Sequence, residues 1–256
     1  MKLSNVSSLS LTESDINMSL TTAGLLPERV EKVVKIYSDT KNWEETKRKW
    51  HKSRLGNRGS RSSSQKIFNI IKSRLKAGER SIKPLENLSE NIKKCETRCE
   101  KSQIFYLYLL EYDSLVKYVV SKVFELSSSE NFDFSNKNIR KILKNINYVN
   151  GKKVEYSDST LNKWIRNLRT LMREIGVITS KQEVKGRSPN LSKQVLNISA
   201  QYSNNTQGEE WIQIPLGWIY LFQPPVYWES LIKRLVDSGK WQITEIRGKR
   251  KIKPID

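Results

Sequence analysis

Ser157-Asp-Ser-Thr-Leu-Asn-Lys-Trp-Ile-Arg-Asn-Leu-Arg-Thr-Leu-Met-Arg-Glu-Ile-Gly176-Val-Ile-Thr-Ser180 is the stretch on which the fold turns. Four small polar residues at its start are N-cap candidates. Leu161, Trp164, Ile165, Leu168, Met172 and Ile175 then recur at helical spacing, so a helix from about 157 to 175 buries one face. Gly176 ends it, and Val177-Ile-Thr-Ser180 reads as a strand. Lys181-Gln-Glu-Val-Lys-Gly-Arg-Ser-Pro189 follows as a basic, hairpin-like tip. A shorter helix from about Ser135 to Ile146 precedes it, with Ile139, Ile142, Leu143 and Ile146 inward, and a turn through Asn150-Gly151 joins the two. Helix, turn, amphipathic helix, strand and basic wing is the order of a winged helix.

The outer face of the long helix carries Lys163, Arg166, Asn167, Arg169, Thr170 and Arg173, with no acid between Lys163 and Arg173. Arg and Asn can read base edges, Lys and Thr suit phosphate oxygens, and a capped N-terminus points free N–H groups at an anion. A surface helix in a basic protein can also be merely solvated; the missing acids favour nucleic acid, because solvated faces mix both signs. Lys181, Lys185 and Arg187 on the wing fit backbone or minor-groove contacts.

The whole chain supports this choice. Its 256 residues carry 46 Lys+Arg against 27 Asp+Glu, a net charge of +19. Residues 41–83 hold +11, residues 137–193 hold +10 and residues 233–253 hold +6, which leaves −8 for everything else. Segregation into three blocks points to surfaces that meet polyanions. With 37% hydrophobic residues the chain can bury a core. The longest apolar run, Ile214–Phe222, is broken by Pro215 and Gly217 and falls short of a membrane span, and no secretion signal is visible. The expected location is the cytoplasm, without membrane.

Working outward, residues 1–15 are Ser-rich and read as a mobile N-terminus, and 16–83 form a helix-turn-helix-like unit. In that unit Pro27 opens a helix, Asn42 caps a second over Trp43–Lys52, and a third buries Ile67, Ile70, Ile71 and Leu75 to Gly78. Arg54, Arg58, Arg61 and Lys66, around the loop before the third helix, suit phosphate contacts on one reading, and a disordered loop or an acidic protein partner on the other, with neither favoured. Residues 84–131 are an apolar bridge of two helices split at Asp113-Ser114. Residues 132–200 hold the winged-helix-like unit, and 201–256 hold an aromatic strand at Trp211–Phe222, a helix from Val226 and a hairpin through Arg247-Gly248, where Arg247, Lys249 and Arg250 are further phosphate candidates. The fold class is mainly α, a helical bundle core with helix-turn-helix and winged-helix-like units and small β-hairpin wings.

For catalysis the chain offers little. His51 is the single histidine and has no carboxylate at a telling spacing. Cys95 and Cys99 find no further metal ligands, and neither a phosphate-binding glycine loop nor a nucleophile elbow occurs. The reading is a non-enzyme with no cofactor and no metal. The seven tryptophans mostly match apolar faces, so core packing is favoured over base stacking.

Two stretches resemble the BrxA family of BREX (bacteriophage exclusion) systems: Leu20-Thr-Thr-Ala-Gly-Leu-Leu-Pro-Glu28, and Tyr156-Ser-Asp-Ser-Thr-Leu-Asn-Lys-Trp-Ile-Arg-Asn-Leu-Arg169 followed by Leu171-Met-Arg-Glu-Ile-Gly-Val-Ile178. Ala23 stands where the family more often has glycine, and the resemblance spans roughly residues 17–200. It implies a NusB-like helical fold and a cytoplasmic, non-catalytic, DNA-binding role beside a methyltransferase, an ATPase and a phosphatase-like partner. Double-stranded DNA is the expected ligand. A protein-interaction adaptor and an RNA-binding NusB-like module are the competing readings.

Overall fold

The computed structural model describes residues 19–53, 60–79, 81–82, 85–127, 130–146, 156–246 and 248–255. The Ser-rich residues 1–15, Arg54, Arg58, Arg247 and the Asn150-Gly151 turn lie outside these. The described chain is mainly helical, with two small antiparallel strand pairs.

Among the described residues of the first half the regular elements are helices: α1 (Ser19–Thr22), α2 (Pro27–Thr40), α3 (Trp43–Lys52), α4 (Arg61–Gly78), α5 (Leu85–Lys93), α6 (Arg98–Tyr112) and α7 (Ser114–Glu125). Asn42 caps α3 as its spacing predicts, its Oδ1 accepting from the N–H groups of Glu44 and Glu45 at 2.9 and 3.0 Å. Every residue from Ser102 to Leu110 is buried, which at 3.6 residues per turn means that α6 is enclosed on all sides. It packs against α2, α4, α7, α9 (Asp158–Glu174) and α10 (Lys193–Gln207) and is the axis of the core. Asp113 ends α6 and caps α7, Oδ1 accepting from Val116 N–H at 3.1 Å.

The second half begins with β1 (Phe132–Asp133), α8 (Asn136–Lys144) and α9, then β2 (Lys185–Gly186). Ser157 caps α9, as expected, and Ser135 caps α8 in the same way. Val177–Ser180 is not a strand. The Val177 and Ile178 N–H groups both turn back to the Met172 carbonyl at 2.9 and 3.2 Å, closing the end of α9. The pairing partner of the tip lies farther away: β2 runs antiparallel to β1, Phe132 opposite Gly186 and Asp133 opposite Lys185. Phe134 N–H donates to Val184 O at 2.7 Å and Arg187 N–H to Val177 O at 2.8 Å, so three segments lie side by side.

Beyond α10 come a 3-10 turn (Gly208–Gln213), α11 (Leu216–Tyr220), α12 (Pro225–Val236) and a hairpin of β3 (Trp241–Ile246) with β4 (Lys249–Pro254). The strand expected over Trp211–Phe222 is therefore a 3-10 turn and a helix. A half-buried strand would alternate, whereas Trp218 to Phe222 are buried five in a row. Gly217 lies against the Ser199 carbonyl, where a Cβ would collide, and its N–H donates to Ser203 Oγ at 2.9 Å. Trp211, Trp218 and Trp241 pack edge to face in the core, as most tryptophans are expected to.

Candidate nucleic-acid interface

Helix α9 buries Trp164, Ile165, Leu168, Leu171 and Met172 on one side. Successive residues turn by about 100°, so Lys163, Arg166, Thr170 and Arg173 share the opposite side. Lys163 and Arg166 are exposed and have no acidic partner among the described residues. Arg173 donates to Thr170 Oγ1 at 2.8 Å, and Thr170 donates to the Arg166 carbonyl at 3.1 Å, so that hydroxyl is satisfied within the helix. Arg169 donates from Nη2 to Asn136 Oδ1 at 2.8 Å, which holds its guanidinium against the start of α8. Asn167 is placed otherwise than a base reader requires. Its Nδ2 donates to the Leu20 carbonyl at 2.8 Å, fastening α9 to α1.

Two acids flank this stripe in sequence: Glu174, directly after Arg173 and 3.9 Å from Arg98, and Asp158, in the first turn of α9. Arg140 of α8 donates to it at 2.6 Å and to Asn162 Oδ1 at 2.8 Å. That hydrogen bond, then the charge of Arg140, holds the Asp158 carboxyl below the usual carboxylate range, so its anion is matched by a cation from the next helix. Lys137, Lys141 and Lys144 stand exposed on α8 opposite buried Ile139, Ile142 and Leu143. Their i, i+4, i+7 spacing is a readable signal of a second basic stripe, and they are the residues that the motif reading of α9 passes over.

On the tip, Lys181, Lys185 and Arg187 are exposed. Hydrogen bonds from the Thr179 hydroxyl and N–H hold the Glu183 carboxyl down, with Arg187 adding to the effect. The Arg169–Asn136 bond, the Phe134–Val184 bond and the β1–β2 pairing connect α9, the start of α8 and the tip through consecutive contacts.

The other blocks differ in their partners. Arg61, in the first turn of α4 behind the Ser60 cap, and Lys66 are exposed without an ion-pair partner among the described residues. In the C-terminal hairpin, Lys249 lies 4.0 Å from Glu210, Arg250 2.8 Å from Glu229 and Lys251 3.5 Å from Glu209. These cations already face carboxylates.

The candidates for chemistry have structural surroundings. His51 Nε2 meets Gln65 Oε1 at 2.8 Å. Cys95 and Cys99 are free thiols; burial pushes Cys95 up to about 11 and Cys99 up as well, away from a reactive thiolate. Among the described residues no group of three or more His, Cys, Asp or Glu could hold a metal ion. No helix among them is long and apolar enough to cross a membrane.

Comparison with known proteins adds one positive finding. The family model of BrxA matches residues 15–201, a span that includes α1, the enclosed α6, the α8–α9 pair and the tip. No curated protein and no solved structure matches the chain. Since the matched span takes in both stretches on which the resemblance rests and most of the chain, the protein belongs to the BrxA family, a component of BREX phage defence.

Proposed function

We propose that this chain is a non-catalytic, cytoplasmic DNA-binding component of its BREX system, holding duplex DNA mainly through phosphates. The carrying observation is the outer surface of α8 and α9. Lys163 and Arg166 are open, Lys137, Lys141 and Lys144 lie on the neighbouring helix, and the nearby acid Asp158 is matched by Arg140. Lys181, Lys185 and Arg187 extend it on the tip, and Arg169 and Arg173 border it. The order α7, β1, α8, α9, β2 supports a winged-helix-like reading in which α9 would be the recognition helix.

Sequence preference is weak in this reading, since Asn167 and Thr170 are bonded within the protein and leave Arg166 as the open base reader. Arg61 and Lys66 form a second phosphate contact. Arg54, Arg58 and Arg247 belong to the same basic blocks by sequence. Lys249 and Arg250 must exchange a carboxylate for a phosphate to take part. The methyltransferase, ATPase and phosphatase-like components of the system are its protein partners.

Fluorescence anisotropy with a 20-base-pair duplex tests the proposal. With six phosphate contacts the affinity falls about 10³-fold between 50 and 200 mM salt. Lys163→Glu with Arg166→Glu abolishes binding at 200 mM. Salt-independent binding, or full binding by the double variant, overturns it. Preference for single-stranded RNA moves the assignment to an RNA module, and failure to bind either nucleic acid moves it to an adaptor.

A further inference from the structure

The family match ends at residue 201, inside the continuous helix α10, and the chain beyond it returns to the base of the basic tip. Phe222 is fully buried, with ring centroids 4.9 Å from Phe132 and 5.5 Å from Phe134, both edge-on. Phe124 completes the cluster, 5.8 Å from Phe132 and stacked on it. Phe132 is the β1 residue opposite Gly186, and the Phe134 N–H bonds the chain at Val184. Gly186 lies so close to Val177 and the Phe134 ring that a Cβ there would meet the ring at 3.0 Å. The tip therefore rests on Phe134, and Phe134 rests on Phe222.

The next residue reaches the far side of the tip. Gln223 is buried, and its Nε2 donates to the Pro189 carbonyl at 2.8 Å and the Leu221 carbonyl at 3.1 Å. Pro189 follows Arg187 by two positions. Arg234 of α12 donates to the Leu191 carbonyl at 2.7 Å. Segment 132–134 before the tip and segment 189–191 after it thus both bear on residues outside the family match. Phe222 has φ 56°, a left-handed conformation that a bulky side chain keeps only where its surroundings hold it. Its N–H donates to Ile219 O at 3.0 Å and the Gln223 N–H to Trp218 O at 2.9 Å, which pins the bend.

We infer that Phe222 and Gln223 are positioning residues for the basic tip, so that these two buried side chains govern duplex affinity without touching the duplex. The inference rests on the DNA-binding reading. Lys181, Lys185 and Arg187 spring from a strand pair of two residues each, too short to hold a fixed direction alone. A phosphate contact gains most when its cation is already in place, because ordering it on binding costs affinity.

Phe222→Leu and Gln223→Ala test this with every charge retained. Amide hydrogen exchange, without DNA, is expected to speed up on the order of tenfold at Phe134 and Arg187, with α2–α4 unchanged. The Kd for the 20-base-pair duplex should rise several-fold, with the log–log salt slope shallower by about 1 for each phosphate that the tip no longer neutralises. In a chain already carrying Lys181→Ala, Lys185→Ala and Arg187→Ala, Phe222→Leu should add no further loss of affinity. Wild-type exchange and affinity in both variants overturn the inference. So does equal acceleration in α2–α4, which marks general loosening, or full additivity with the tip variant. Should wild-type protein bind no duplex, the proposed function fails and the affinity claim with it; the exchange experiment still decides whether Phe222 and Gln223 support the tip.

Discussion

Replacing Asp113 by Asn changes how stability depends on pH, in a direction that the site dictates. The carboxyl is fully buried at the joint between α6 and α7. It accepts from Ser19 Oγ at 3.0 Å and Val116 N–H at 3.1 Å, and the Leu115 N–H and the buried Arg74 guanidinium also favour its anion. Burial outweighs them and pushes the carboxyl from 3.8 up to about 6. Arg74 is itself pulled down to about 10 by burial, while it donates to the carbonyls of Gly24 and Ala23 at 2.6 and 2.8 Å. Between pH 3.8 and 6 the folded state binds more protons at Asp113 than the unfolded chain, so this residue's contribution falls as pH rises through that window. From pH 7 to pH 5 the folded protein gains on the order of 1 kcal/mol from Asp113. Asp113→Asn keeps an Oδ1 acceptor for Val116 N–H, turns an Nδ2 donor toward the Ser19 hydroxyl, which can accept, and cannot titrate. Urea unfolding of both proteins at pH 5, 6 and 7 reads the difference, in which the other carboxylates, common to both, largely cancel. Wild type should gain on the order of 1 kcal/mol on the variant as the pH drops. Parallel curves, or a gain toward high pH, would refute the account.

Other substitutions test single contacts. Asn42→Ala removes the acceptor for two N–H groups of α3 and should cost about 1 kcal/mol by chemical denaturation. Leu168→Ala, at a site with no exposure, should cost about 2–5 kcal/mol. Gly217→Ala drives a methyl into the Ser199 carbonyl and should lower stability by at least about 1–3 kcal/mol, read as a fall in Tm. Asn167→Ala loses the bond to Leu20, costing about 1 kcal/mol, and should leave duplex sequence preference unchanged in a competition assay.

Where local chemistry decides, the sequence is legible. Asn42 with two glutamates behind it can only open a helix, and Ser157 three residues before Thr160 N–H does the same for α9. The apolar stripe of α9 follows from its 3.6-residue period because its other face meets water. The period vanishes where burial surrounds the chain. Trp218–Phe222 is apolar at every position because α11 is covered on all sides, so a helix and a core strand look alike there. Val177–Ser180 misleads for another reason: β-branched residues favour a strand, but their N–H groups are already committed to ending α9. The pairing of Phe132 with Gly186 joins residues 54 positions apart and leaves no local trace. Asn167 belongs to the same class, since its partner Leu20 lies 147 positions away, and without it the carboxamide looks free to read a base.

Charge shows most plainly how placement changes a sequence argument. Along the chain every lysine and arginine counts alike, and the C-terminal block of +6 looks like a smaller version of the block around α9. In the fold the two differ in kind. Counterion release drives phosphate binding only when the cation exchanges a mobile counterion for the phosphate. Lys249, Arg250 and Lys251 face fixed carboxylates on Glu210, Glu229 and Glu209, so a phosphate must displace an acid that stays nearby and repels it. These pairs are exposed and individually weak, yet the carboxylates remain when the pairs open. Arg140 has the reverse effect: by answering Asp158 it removes the repulsion that a phosphate at the start of α9 would otherwise meet. One ion pair thus clears the way for a polyanion at α8–α9, while three ion pairs of the same kind oppose it at the hairpin.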